Sequence, residues 1–260
     1  MTAILRNESR TLLRGSVLLA GLIFIMAVFM VAVFPGIQEE AAALEDALPD
    51  YLIALLGFEE LHTIEGFTAG YIVPFLWVLL IGLYFAYTTA SMISGDIRSR
   101  RMDLLLANPV SRESVVLQKY TSLWVPLVVL NAVLFAVLVV GTTVIGDPID
   151  FGGLAAMQVL SIPYLLVCGA IGLVLSVVLD RAETAQAGAI GAVFVLWLLE
   201  GVAETEPDYE LLGLIAPSWY YDPTAILVHG EYSLIDTAIL LMAAVVLVGA
   251  AVVLFIRRDI

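Results

Sequence analysis

Few residues in this chain have the types and spacing that chemistry needs. His62 stands among Glu59, Glu60 and Glu65, and an imidazole with a carboxylate three residues away can share a metal ion. One imidazole without a second imidazole or a thiol is a weak ligand set, so an acidic exposed turn is the preferred reading. Met26 and Met30 share a helical face with no Cys or His alongside, which reads as packing rather than a copper path. Cys168, the single cysteine, allows no intrachain disulfide and fits a small packing residue. An intramembrane serine protease would place a histidine in a span beside its Gly-x-Ser. Both histidines, His62 and His229, fall in the segments between spans instead. A P-loop needs Gly-Lys-Ser/Thr, but the one lysine, Lys119, sits between Gln118 and Tyr120. The chain therefore cannot hydrolyse ATP by that means.

Composition sets the class. The 260 residues are 62% hydrophobic and 14% charged, with a mean hydropathy of +1.03. That balance implies an all-α polytopic membrane protein. Charge-free runs at 15–38, 66–95, 120–146, 151–179, 184–199 and 237–256 can each cross a bilayer, the fifth by extending past Glu200. The expected spans are about 15–36, 67–93, 119–145, 153–179, 184–203 and 236–256, in a single domain over 1–260. The run 211–221, with Pro217, Trp219, Tyr220 and Tyr221, suits an interfacial segment.

All eleven Lys and Arg residues fall at the N-terminus, in 96–119, at Arg181 or at the C-terminus. With six spans these segments share one side. The positive-inside rule makes it cytoplasmic, with both termini inside. The 25 acidic residues give a net charge of −14, which excludes nucleic-acid binding. Most acids lie on the other side and read as a salt-tolerant, halophile-like surface, with a cation-attracting vestibule as the sharper alternative. Arg6, Arg10 and Arg14 recur at spacing four, predicting an amphipathic N-terminal helix in the inner interface that turns into the first span. Gly15–Phe34 is too long for a signal peptide core, so the run is read as retained. Leu44, Leu48, Leu52, Leu55 and Leu56, interrupted by Pro49, predict short outer helices over 37–65. Pro74, Pro126 and Pro163 can kink their spans. Small residues such as Gly188 and Ala192 predict close helix packing.

The loop 96–119 is the longest charged interval on the basic side. Its spacing predicts one helix over Arg98–Asn108, with Ile97, Arg101, Leu104, Leu105 and Asn108 on one face. Pro109 ends it. Ser111 fits the N-cap of a second helix, and Glu113 sits in its first turn. This helix can run through Lys119 into the third span. A leucine-bearing helix among charges needs a partner, either lipid or protein. Five of the six runs hold no ionisable group, and in the remaining one Glu200 lies near the outer end. A transporter without an internal ion relay or a nucleotide site needs an outside motor.

The acidic residue, basic cluster, Leu-Leu-Leu-Ala, Asn-Pro-Val-Ser-Arg and Lys119 of this loop resemble the segment between spans two and three of ABC-2 type transporter permeases. Asp96 and Arg101-Met102 depart from the Glu and Gly-Thr common in that family. Leu5-Arg6-Asn7-Glu8, Ser218-Trp219-Tyr220-Tyr221-Asp222-Pro223 and the ending Phe255-Ile256-Arg257-Arg258-Asp259-Ile260 are similar to it too, so the likeness runs end to end. The resemblance implies a permease subunit in the plasma membrane that is not itself an enzyme. ATP and Mg would sit on a separate ATP-binding subunit that docks on a coupling helix, with Arg101, Leu104, Leu105, Asn108, Pro109 and Arg112 as the coupling residues. It implies an exporter built from two permeases, a second copy or a different chain. A non-transporting sensor or assembly subunit is the alternative.

The topology gives a direct test. Cysteines introduced at Ala43 and Thr205 should react with an impermeant thiol reagent in intact cells, and one at Ser99 should not. Labelling at Ser99 would overturn the six-span count.

Overall fold

The computed structural model describes residues 3–47, 60–205 and 209–258, and their side chains except at 39, 41–47, 204, 205 and 210. Among the described residues every regular element is helical. Six helices are long and apolar enough to cross a membrane: Ala3–Gln38, Ile64–Arg98, Arg112–Ile145, Phe151–Val178, Ala182–Ala203 and Leu234–Arg257. They are spans one to six of a multi-pass membrane protein. Their ends carry the expected signals. Asp150 accepts from Gly153 N at 2.5 Å and starts span four. Ser233 accepts from Asp236 N at 3.2 Å and starts span six. Gly146, at φ +88°, ends span three in the left-handed conformation that a side chain resists.

Span four is the most enclosed and forms the centre. Spans two, five and six pack on it, and span one packs on span three. The second and fourth spans are joined by buried polar bonds as well as by apolar contact. Trp77 Nε1 donates to Ser161 Oγ at 2.8 Å, and the Tyr164 hydroxyl donates to the Val78 carbonyl at 2.9 Å. Further along, Ser176 Oγ accepts from the backbone N–H groups of Ile93 and Ser94, at 2.9 and 3.1 Å. That contact satisfies donors exposed where span two bends. Glycines allow the approach: a Cβ at Gly172 would collide with the Ala86 carbonyl, and one at Gly82 with the Tyr164 hydroxyl.

The three span prolines behave differently. Pro163 lies inside the unbroken helix Phe151–Val178. Around Pro74 the chain Thr68–Ile81 is wound as a π-helix, a wider coil that shifts the ring relative to the preceding turn. Before Pro126 the helix Arg112–Thr121 ends and Trp124–Ile145 begins. The proline then occupies a first turn, where its missing N–H has no intrahelical bond to lose.

One sequence expectation is corrected. The N-terminal helix does not turn into span one: Ala3–Ala47 is one helix, because no Gly or Pro interrupts residues 3–14 and Gly15 and Pro35 are absorbed within it. Of the segment 37–65, where short outer helices are expected, the described residues hold the end of that long helix and the short Ile64–Phe67. Leu48, Pro49, Leu52, Leu55 and Leu56 lie outside the described residues. The 211–221 segment is folded onto the bundle, with the Tyr221 hydroxyl donating to the Met157 carbonyl at 3.1 Å. Burial, then the neighbouring Asp222 carboxylate, raise the Tyr221 pKa, so this hydroxyl stays a neutral donor.

Gly172→Ala should separate spans two and four and lower stability by about 1–3 kcal/mol. Gly191→Ala, with open space around its Cα, should have little effect or raise stability slightly. Thermal unfolding in detergent measures both, and equal behaviour would mean the close approach does not matter.

Candidate functional site

The basic end of the bundle brings together the N-terminal helix, the 96–119 loop, the turn after span four and the end of span six. The loop begins as Ser94–Arg98, turns through Ser99 and Arg100, and resumes as Arg101–Leu106. This corrects the single helix expected over Arg98–Asn108. The Ser99 hydroxyl takes the Gly95 carbonyl at 2.8 Å, and Arg100 adopts a left-handed φ of +58°. The restart breaks the register, so Ile97 and Leu104 no longer share a face.

What the restart gains is an anchor. Met102 is fully buried, in a cluster with Val115, Val116, Leu173, Val248 and Phe255, and Leu105 and Leu106 pack against it. Leu104 points the other way and is 72% exposed. Arg101 is exposed beside it. Asn108 caps the helix, its side-chain N–H donating to the Leu104 carbonyl at 2.8 Å. Pro109 is exposed at the stop. Of the expected coupling residues, Arg101, Leu104, Asn108 and Pro109 therefore lie on the surface, while Leu105 belongs partly to the core. Met102 was invisible to the spacing argument, because its burial depends on the turn at Arg100.

The second loop helix, Arg112–Thr121, starts as expected: Ser111 Oγ accepts from Ser114 N at 3.2 Å. Its first residue does more than orient it. The Arg112 guanidinium donates to the carbonyls of Phe255 and Ile256 at 3.2 Å and of Arg258 at 2.5 Å, and lies over the Phe255 ring. It thereby satisfies the open carbonyl end of span six, where a cation also complements the helix dipole. Arg258 in turn reaches the Val177 carbonyl and the Asp180 carboxylate, and Arg98 pairs with Glu183.

At the other end of this helix Lys119 is 1% exposed. Its ammonium meets Glu8 at 2.5 Å and Asp96 at 2.7 Å, carboxylates that are 19% and 15% exposed. A buried ammonium is tolerated only with such partners. The three residues come from span one's helix, the end of span two and the start of span three. Neither the Lys119–Glu8 pair nor the Lys119–Asp96 pair follows from local spacing. Both Asp96 and Lys119 belong to the pattern that marked the loop.

Among the described residues the basic end holds cations on carbonyls and carboxylates and two helices of a loop keyed into the bundle, with Leu104 the most exposed leucine of the loop and Leu117 also exposed. The family model for ABC-2 family transporter proteins matches residues 2–260. The chain belongs to the ABC-2 transporter family. It is thus the membrane permease component of an ABC transporter, a transport component rather than an enzyme in itself, and the family implies an ATP-binding partner. No curated protein and no solved structure matches the chain. Among the described residues no group of three or more His, Cys, Asp or Glu side chains is placed to hold a metal ion.

Removing the Lys119 charge alone, as Lys119→Met, leaves two facing carboxylates and should cost about 3–5 kcal/mol. Adding Glu8→Gln and Asp96→Asn should recover most of that loss. Denaturation of the three proteins in one detergent gives the comparison. No recovery in the triple variant would show that the lysine acts through packing rather than charge.

Proposed function

We propose that this permease works in the plasma membrane with its basic end and both termini in the cytoplasm, and that it exports its cargo. The concentration of cationic residues at that end supports the orientation. ATP and Mg belong to a separate ATP-binding subunit, and two permeases, identical or different, complete the transporter. The 96–119 loop receives that subunit and passes its movement to the spans.

The observation that carries the coupling reading is the two-sided short helix Arg101–Leu106. Its inner face, through Met102 and Leu105, is packed in the bundle, and its outer face presents Leu104 to solvent. A push on Leu104 is a push on a core element. From there Arg112 leads to span six, and Lys119 leads to spans one and two. The loop thus has rigid connections in more than one direction, which suits a lever and exceeds what a simple connection between spans needs.

Leu104→Asp tests docking without disturbing the bundle, because the side chain is already in solvent. A carboxylate in the centre of a protein interface should weaken capture of the ATP-binding subunit about 100-fold, roughly 3 kcal/mol. Membrane insertion and the unfolding temperature of the permease should not change. Co-purification and ATP turnover in nanodiscs measure the effect. Full capture and full turnover by Leu104→Asp would show that the loop is only a connection.

A further inference from the structure

The N-terminal helix carries a second surface that the coupling reading does not use. Because Ala3–Ala47 is unbroken, residues 3–14 stand as a straight extension of span one instead of lying in the membrane plane. Arg6, Arg10 and Arg14 are all exposed along this extension, and no ion pair to any of them is seen among the described residues. The nearest acid on the helix, Glu8, is turned inward and engaged by Lys119. The outward stripe is therefore uniformly cationic, although the chain as a whole has a net charge of −14.

The face below the stripe is apolar and open. Leu13, Val17 and Leu18 are exposed, Leu18 to 79%. With about 100° per residue, Arg6, Arg10, Leu13, Arg14 and Val17 fall on one side of the helix. Arg6 and Arg14 are about 12 Å apart at 1.5 Å per residue. A headgroup layer is roughly 5–7 Å thick on each side of the hydrocarbon core. With Leu13 at the edge of the hydrocarbon, Arg10 lies at the phosphate level about 4.5 Å out, Arg14 snorkels up to it, and Arg6 stands beyond it, about 10 Å out.

We propose that this stripe is a binding site for an anionic phospholipid. The guanidinium groups take the phosphate, for which their fork of donors is suited, and the acyl chains lie along Leu13, Val17 and Leu18. Charge complementarity and the continuity of cationic and apolar surface select a lipid over a soluble anion, because a free phosphate has no use for the apolar half. The bound lipid holds the outer side of the helix, while Lys119 holds its inner side through Glu8.

The test uses the whole permease without its partner subunit, so its outcome is independent of the coupling reading. The protein is placed in nanodiscs of phosphatidylcholine, alone or with one part in five of phosphatidylglycerol. Retained lipid is counted by native mass spectrometry, and the unfolding temperature is measured in each. Wild type should retain phosphatidylglycerol and unfold at a higher temperature when it is present. Each arginine removed should weaken retention about fivefold. In the combined Arg6→Gln, Arg10→Gln, Arg14→Gln variant both effects should vanish, with the unfolding temperature in pure phosphatidylcholine unchanged. Arg100→Gln with Arg257→Gln, removing exposed charges elsewhere on the basic end, should leave retention as in wild type. Equal retention by the triple variant would overturn the site. So would displacement of the lipid by millimolar inorganic phosphate, or a loss of retention as large in the Arg100→Gln, Arg257→Gln control.

Discussion

The ammonium of Lys119 cannot be buried alone, and the arrangement of the basic end follows from that constraint. Two carboxylates must come to it, and they come from distant parts of the chain: Glu8 on the first helix and Asp96 at the end of the second span. Their convergence fixes where three spans stand relative to one another at one level of the bundle. Ion pairs of this kind contribute little net stability compared with apolar packing of the same volume, because desolvation offsets the attraction. What they contribute is position. A shift of any one helix along its axis leaves a charge without a partner, which is costly in a way that sliding between leucines is not.

Two other cations of this end, Arg112 and Arg258, act on the same principle with different acceptors. Arg112 takes the carbonyls that a helix leaves open at its C-terminus, and Arg258 takes one carbonyl at the end of span four and the carboxylate of Asp180. Backbone carbonyls do not move independently of their helix. These bonds therefore tie whole spans, not side chains, to the loop. Among the described ion pairs, Arg98–Glu183 is the most solvent-exposed on both sides, and exposed pairs contribute little. The firm connections of the loop run to spans one, two, four and six.

The helical, six-span character was legible in the sequence because apolar length and the absence of charge are local properties. So were the Ser111 cap and the stop at Pro109, which depend on residues two or three apart. The loop could be located, but its internal shape could not. The spacing promised one face carrying Ile97, Leu104 and Leu105, and the turn at Arg100 took Ile97 out of register with Leu104, leaving Leu104 outside and drawing Met102 in. Arg112 was read as a residue facing a partner, yet its nearest acceptors are 143 to 146 residues away in the same chain. Contacts at that separation leave no periodic trace. Lys119 offered a weak signal: a sole lysine beside a membrane span, in a chain that otherwise uses arginine.

The polar bonds between spans two and four bear on where cargo can travel. Trp77 to Ser161, Tyr164 to Val78 and Ser176 to the bend at Ile93 are spread along most of the contact, and Gly172 brings the two backbones nearly together. To part them would leave donors and acceptors stranded in an apolar medium, each at a cost of several kcal/mol. A permease that opened there at every cycle would have to remake these bonds each time. The second and fourth spans are therefore joined as one unit, whereas spans held by apolar contact alone can separate without breaking hydrogen bonds.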